Sequence, residues 1–202
     1  MRDLHVKIDK TVIPQLPRYA FEGRIVVVQS EDEANRAVRA LRAAPMIGMD
    51  TETRPAFKRG EMHKVALLQM ATEDICFLFR LNQMGLPEAL VELLSDKDVL
   101  KLGLSLHDDF TMLRRRNSLV KPAGYIDLQD YVKGMGIEDL SLQKLYANVF
   151  GRRISKSARL SNWEADVLTE AQKVYAATDA VTCIQLYKEL KTLKENGDYR
   201  LV

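Results

Sequence analysis

Two cysteines, three histidines and one tryptophan are all that this 202-residue chain holds of those types. Cys76 and Cys183 lie far apart, each inside an apolar segment, which excludes a disulfide framework and a cysteine-based zinc site. His5, His63 and His107 show no paired spacing, so a histidine zinc centre is excluded too. No apolar run approaches the roughly 20 residues needed to cross a bilayer. The opening "MRDLHVKIDK" has no apolar core of the secretory kind, and the expected location is a reducing cytoplasm. A charge excess of either sign is also missing: the net charge is +2 and the pI about 8.5. That balance is too mild to announce nucleic-acid binding, so the distribution of charge matters more than its total. Internal repeats and low-complexity linkers are absent.

What remains is an ordinary globular composition, 47% apolar and 29% charged, in one domain long enough for a sizeable core. Residues 1–23 carry Pro14 and Pro17 without a sustained period and read as an N-terminal arm; residues 24–202 form the domain. "RIVVVQ" (24–29) is a β-branched strand, and Ser30 with Glu33 is a capping box opening a helix. "PMIGMD" (45–50) is a second strand. "KVALLQMAT" (64–72) and "DICFLFR" (74–80) form a hairpin, and their near-continuous hydrophobicity predicts a sheet covered on both faces. Pro87 opens a helix. "DVLKLGLS" (98–105) and "AGYIDL" (123–128) are further strands, each running into a helix. "LSLQKLYANVFG" is helical and ends on Gly151. Thr169 and Gln172 cap a long helix over about 170–195. Early antiparallel pairing followed by strand–helix alternation implies an α/β fold, a mixed sheet flanked by helices on both faces.

The acids need weighing one at a time. With 28 acids in the chain, chance places roughly four acid-x-acid pairs, and four exist, so spacing alone says nothing. Only Asp50 and Glu52 prolong an apolar strand. Residues i and i+2 share a strand face, so both carboxylates would project from a covered sheet, where like charges resist desolvation without a cation. Asp109 follows "VLKLGLS" at a helix start, where an acid is also an ordinary cap, as are its neighbours His107 and Asp108. Asp179 lies in a mostly apolar helix and needs a partner; a core hydrogen bond or a metal would serve. Tyr175 stands four residues before it, on the same helix face. Three distant segments thus deliver oxygen ligands of the type hard divalent cations take.

"DTE", "GLSLHDDFTML" and "YAATDA" together resemble the three motifs of DEDD-type 3′-5′ exonucleases. The tyrosine four before the last aspartate resembles the branch of ribonuclease D and the Werner-type exonucleases. "RGEMHKVALLQMAT", "LSLQKL" and "LSNWEADVLTEAQKVYAATDA" extend the likeness, which covers about residues 24–192. The resemblance implies an RNase H-like fold with a five-stranded mixed sheet. It implies that Asp50, Glu52, Asp109 and Asp179 bind two divalent metal ions, Mg²⁺ or Mn²⁺. Tyr175 would orient the attacking water or help to deprotonate it. Of the adjacent aspartates in "LHDDF", Asp109 fits the family spacing to Gly103 and Leu113. The implied reaction is hydrolysis at a 3′ end with release of nucleoside 5′-monophosphates.

The implied partner is therefore nucleic acid with a single-stranded or frayed 3′ end. No motif specifies a 2′-OH contact, so neither DNA nor RNA is selected. Arg152, Arg153, Lys156 and Arg159 precede the last helix. They are expected to touch substrate phosphates, although a solvated loop would look the same. Trp163 reads as a packing residue. The competing reading is a non-catalytic nucleic-acid-binding module on the same fold, against which the intact acids and tyrosine argue. "GRRISKS" (151–157) lacks the second glycine of a P-loop and follows a helix rather than a strand.

Overall fold

The computed structural model describes every residue except Arg59, so the first position of "RGEMHKVALLQMAT" lies outside the described residues. In chain order the elements are β1 (Arg2–Leu4), β2 (Arg24–Val28), α1 (Glu31–Arg42), β3 (Met46–Glu52), β4 (Leu67–Ala71) and β5 (Ile75–Arg80). Then come α2 (Leu81–Met84), α3 (Glu88–Ser95), β6 (Leu100–Gly103), α4 (Leu106–Arg114), β7 (Tyr125–Asp127), α5 (Leu128–Lys133), α6 (Leu142–Phe150), α7 (Glu170–Asn196) and β8 (Tyr199–Leu201). Among the described residues no helix is long and apolar enough to cross a membrane.

The main sheet runs β2-β5-β4-β3-β6-β7. The β3–β4 and β4–β5 pairs are antiparallel, and the remaining pairs are parallel. It has six strands, one more than the resemblance implies. The sixth is the short β7, which adds three parallel pairings to the edge of β6. Both capping boxes form: Ser30 with Glu33 on α1, and Thr169 with Gln172 on α7. Gly151 ends α6 at φ 59°, the left-handed conformation that glycine adopts without a Cβ penalty.

The hairpin strands are covered on both sides, as their composition predicts. Leu68, Met70, Phe77 and Phe79 pack with α1, α3 and α4; Leu67, Ala71, Cys76 and Leu78 pack with α7. β3 alternates in the same way. Ile47 and Met49 enter the first of these cores, which leaves Gly48, Asp50 and Glu52 on the face turned to α7. There Gly48 meets the helix backbone: a Cβ at this position would stand 2.0 Å from the Ala180 carbonyl oxygen. That close approach sets α7 against β3 and determines what the two elements can share.

Residues 1–23 are tied down at several points. β1 pairs in parallel with β8, joining the two ends of the chain. Ile8 and Ile13 bury themselves against Ala147 of α6, and the Ile8 amide donates to buried Asp139 at 2.7 Å. The Tyr19 amide donates to the Arg153 carbonyl at 2.8 Å, and the Arg153 amide to the Pro17 carbonyl at 3.0 Å. The arm therefore runs alongside the basic loop.

Candidate active site

Asp50 and Glu52 leave β3 on one face because they are two apart in an extended chain. α7 lies across that face, and its Asp179 arrives opposite them. One carboxylate oxygen from each of the three lies within 4.8 Å of the others. Glu52 and Asp179 are each 8% exposed. Three carboxylates packed so closely and so far out of water repel one another, and their protonation shows the consequence. Burial first, and then the Asp179 charge, pushes Asp50 up to about 8. Burial, then Asp50, Asp179 and Asp109, pushes Glu52 up to about 10. Burial lifts Asp179 to about 7, opposed by Tyr175 and by the Lys156 charge. The donor set is all oxygen and clustered, and none of the three acids has a salt bridge among the described residues, which suits a hard divalent cation. The residues present fit such an ion.

Asp109 is held differently. It sits in the first turn of α4, and burial and the Asp50 charge raise it as they raise the others. Its carboxylate accepts a hydrogen bond from the Thr51 hydroxyl, so it stands beside the trio rather than inside it. The adjacent aspartates of "LHDDF" separate cleanly: Asp108 is exposed and takes the Ser105 hydroxyl at 3.0 Å, while Asp109 turns inward. His107 is exposed.

The turn that launches α4 is strained. Ser105 has φ 63°, the one positive value outside glycine among the described residues. The Asp127 carboxylate, at the end of β7, accepts the Ser105 amide at 3.0 Å and the Leu106 amide at 2.8 Å. It also accepts the Gln129 amide at 2.9 Å, capping α5. One carboxylate thus anchors two helix starts and, through α4, fixes where Asp109 stands. Sequence reasoning misses Asp127, Thr51 and Gln69. Thr51 is visible only inside "DTE", and Asp127 only as a strand end before a helix. Gln69 pairs with Asp50 across β3–β4. It is fully buried, and its amide has no partner among the described residues.

Tyr175 is buried one turn before Asp179. Burial first, then the charges of Asp179 and Glu52, raises its phenol above the usual value, so it keeps its proton. Trp163 is fully buried with its ring centroid 6.0 Å from that of Tyr175. It packs, as expected, and what it packs against is the tyrosine. Arg80 donates to the Asp166 and Ala165 carbonyls and holds the loop carrying Trp163 to the end of β5.

The four basic residues go to different places. The Arg159 charge pulls Glu52 down, so it lies on the side of the acids. Lys156 and Arg153 line a cleft beside α6. Arg152 lines a separate cavity with Glu22, Glu73 and Asp74.

The sequence matches the family described as 3′-5′ exonuclease over residues 25–194. The chain belongs to this family. It is a 3′-5′ exonuclease domain. It is 34% identical over 185 residues to the mouse bifunctional 3′-5′ exonuclease/ATP-dependent helicase WRN, covering 89% of this chain and 13% of that protein. It is 31% identical over 210 residues to human exonuclease 3′-5′ domain-containing protein 2, covering 94% of this chain and 33% of that protein. The chain therefore spans a third or less of the length of these relatives. The Aedes aegypti Nibbler EXO domain shares the fold, with TM-score 0.81 and 22% identity over 90% of this chain and 94% of that one.

The raised carboxyls set a pH dependence. Unfolded aspartates and glutamates ionise near pH 4, whereas Asp50 and Asp179 hold protons to about 8 and 7. Between these values the folded state binds more protons than the unfolded chain, so metal-free stability falls as pH rises. A divalent ion displaces those protons and removes the penalty. Thermal melts in chelator are expected to show Tm dropping between about pH 5 and pH 8, and excess Mg²⁺ or Mn²⁺ is expected to raise Tm more at the higher pH. A metal-free Tm that rises across this window would contradict the clustered, ion-starved site.

Proposed function

We propose that the domain shortens single-stranded or frayed nucleic acid from its 3′ end, one nucleoside 5′-monophosphate at a time, with Mg²⁺ or Mn²⁺ as its metal. The observation that carries this reading is the Asp50–Glu52–Asp179 cluster, with three ligand oxygens within 4.8 Å, in a chain of the exonuclease family. These three would hold one ion; Asp109, beside Asp50, is the remaining carboxylate for a second. Bound there, divalent ions would supply an activated water and stabilise charge on the phosphodiester oxygens.

The side chains around the ions have separate tasks. Tyr175, kept protonated, donates a hydrogen bond that aims the attacking water; a phenol in that state does not take the water's proton. The two acids of β3 and the one of α7 would hold the ions, and only through them would the phosphodiester be positioned between strand and helix. Arg159, on the side of Glu52, and the pair Arg153 and Lys156 face the substrate's negative backbone.

The test is a 5′-labelled oligonucleotide incubated with Mg²⁺ or Mn²⁺, in matched DNA and RNA forms. Shortening in single-nucleotide steps is the expected result; release of internal fragments, or no digestion with either metal, would overturn the reading. Within it, Tyr175→Phe is expected to lower kcat by about 10²-fold with little change in KM, because it removes positioning rather than binding. A pH–rate profile that loses its ascending, acid-side limb in Tyr175→Phe would instead assign the tyrosine as a base.

A further inference from the structure

The arm and α6 enclose an open cleft of about 450 Å³ on the side of the active site marked by Lys156. Its lining is lopsided in charge. Lys10, Lys144, Arg153 and Lys156 all reach it, together with Ser141 and Gln143, and no carboxylate lines it among the described residues. Ser141 is the cap of α6, so the positive end of that helix faces the same space. The cleft is built, not incidental. Ile8 and Ile13 anchor the arm on either side of Lys10. The Arg153 guanidinium donates through Nε to the Leu16 carbonyl at 3.0 Å. The Gln143 side chain donates to the Ile154 carbonyl at 3.0 Å and ties α6 to the basic loop. Lys144 is fixed by pairing with buried Asp139, the residue that also receives the arm's Ile8 amide.

Lys156 links the cleft to the acids: it lines the cleft, its neighbours Ser155 and Ser157 line a small pocket with Tyr175 and Thr178, and its charge reaches Asp179. The positive path therefore starts beside the acid cluster and continues away from it into the cleft. In a 3′-5′ exonuclease the terminal nucleotide occupies the metal site, and the rest of the strand must leave on the 5′ side. Backbone phosphates of that strand are the anions that would meet this path.

We propose that the N-terminal arm completes the substrate path: the cleft walled by Lys10, Lys144, Arg153 and Lys156 holds backbone phosphates of nucleotides lying 5′ to the scissile bond. This rests on the exonuclease reading above and adds a substrate-binding role for residues 1–23. A strand long enough to reach the cleft gains affinity that a very short one does not. Removing one cation that neutralises a phosphate lowers the salt dependence of single-strand binding by about 0.7 in the log–log slope.

Two measurements on the full chain test this. In the first, fluorescence anisotropy follows a labelled single strand of about twelve nucleotides, in Ca²⁺ so that binding is read without turnover. Lys10→Glu is expected to weaken binding by at least about fivefold, and Lys10→Ala to lower the salt slope by about 0.7. Lys10 is exposed, so neither change disturbs packing. In the second, KM is compared between that strand and a trinucleotide. The advantage of the longer strand is expected to shrink in Lys10→Glu. Unchanged anisotropy, or an unchanged length advantage, overturns the cleft as a phosphate path. Lys10-dependent binding in a protein that digests nothing would instead sink the hydrolytic reading and leave the cleft standing.

Discussion

Asp50→Asn is expected to lower kcat/KM by at least about 10³-fold, roughly 4 kcal/mol of transition-state stabilisation. Asparagine keeps the size and shape of the side chain and removes only its charge. Asp50 sits within reach of both other acids, and its charge is felt by Glu52, Asp109 and Tyr175. Its removal deprives the cluster of a ligand that Glu52 and Asp179 cannot replace. The same substitution relieves repulsion in the metal-free protein, so Tm in chelator is expected to hold or rise while the metal-induced rise in Tm disappears. Activity and stability then move in opposite directions. A variant that merely damaged the fold would lose both. Equal digestion of a 5′-labelled oligonucleotide by parent and variant would refute the catalytic site and favour a nucleic-acid-binding module without turnover.

Legibility in the sequence follows the physical range of each signal. Strands β2 to β6 are readable because burial on one or both faces writes itself into every residue. The starts of α1 and α7 are readable because a capping box is a local hydrogen-bond exchange across three residues. The pairing of β1 with β8 is not: three residues show no period, and the partner lies at the far end of the chain. Asp50 and Glu52 share a spacing no rarer than chance. The covered strand beneath them and the likeness of three distant motifs give them meaning. Asp127 illustrates the opposite limit. Its work is to accept amides of Ser105 and Leu106, more than twenty residues back, and no local pattern announces a carboxylate that caps a helix other than its own. The basic residues 152–159 fare similarly. Neighbours in irregular chain point in independent directions, so one cluster in sequence becomes Arg159 near the acids, Arg153 and Lys156 in the cleft, and Arg152 among carboxylates.

Gly48→Ala is expected to destabilise the domain by about 1–3 kcal/mol, a fall in Tm of about 2–12 °C, and to reduce kcat by about 10²-fold. The added Cβ would stand 2.0 Å from the Ala180 oxygen, 2.9 Å from its carbonyl carbon and 3.1 Å from Ile184 Cγ1. The first two are backbone atoms, which no rotamer change can move aside. β3 cannot retreat, because it is paired on one side with β4 and on the other with β6. α7 must therefore lift, and Asp179 is the residue next to Ala180. A shift of a few tenths of an ångström to one ångström there opens the distance between Asp179 and the β3 acids on which ion binding depends. The effect reaches catalysis from a residue that touches neither substrate nor metal, and its signature is a smaller metal-induced rise in Tm along with the loss of activity. Should Gly48→Ala retain full activity and the parent's response to metal, the close approach of α7 to β3 would not be what assembles the site.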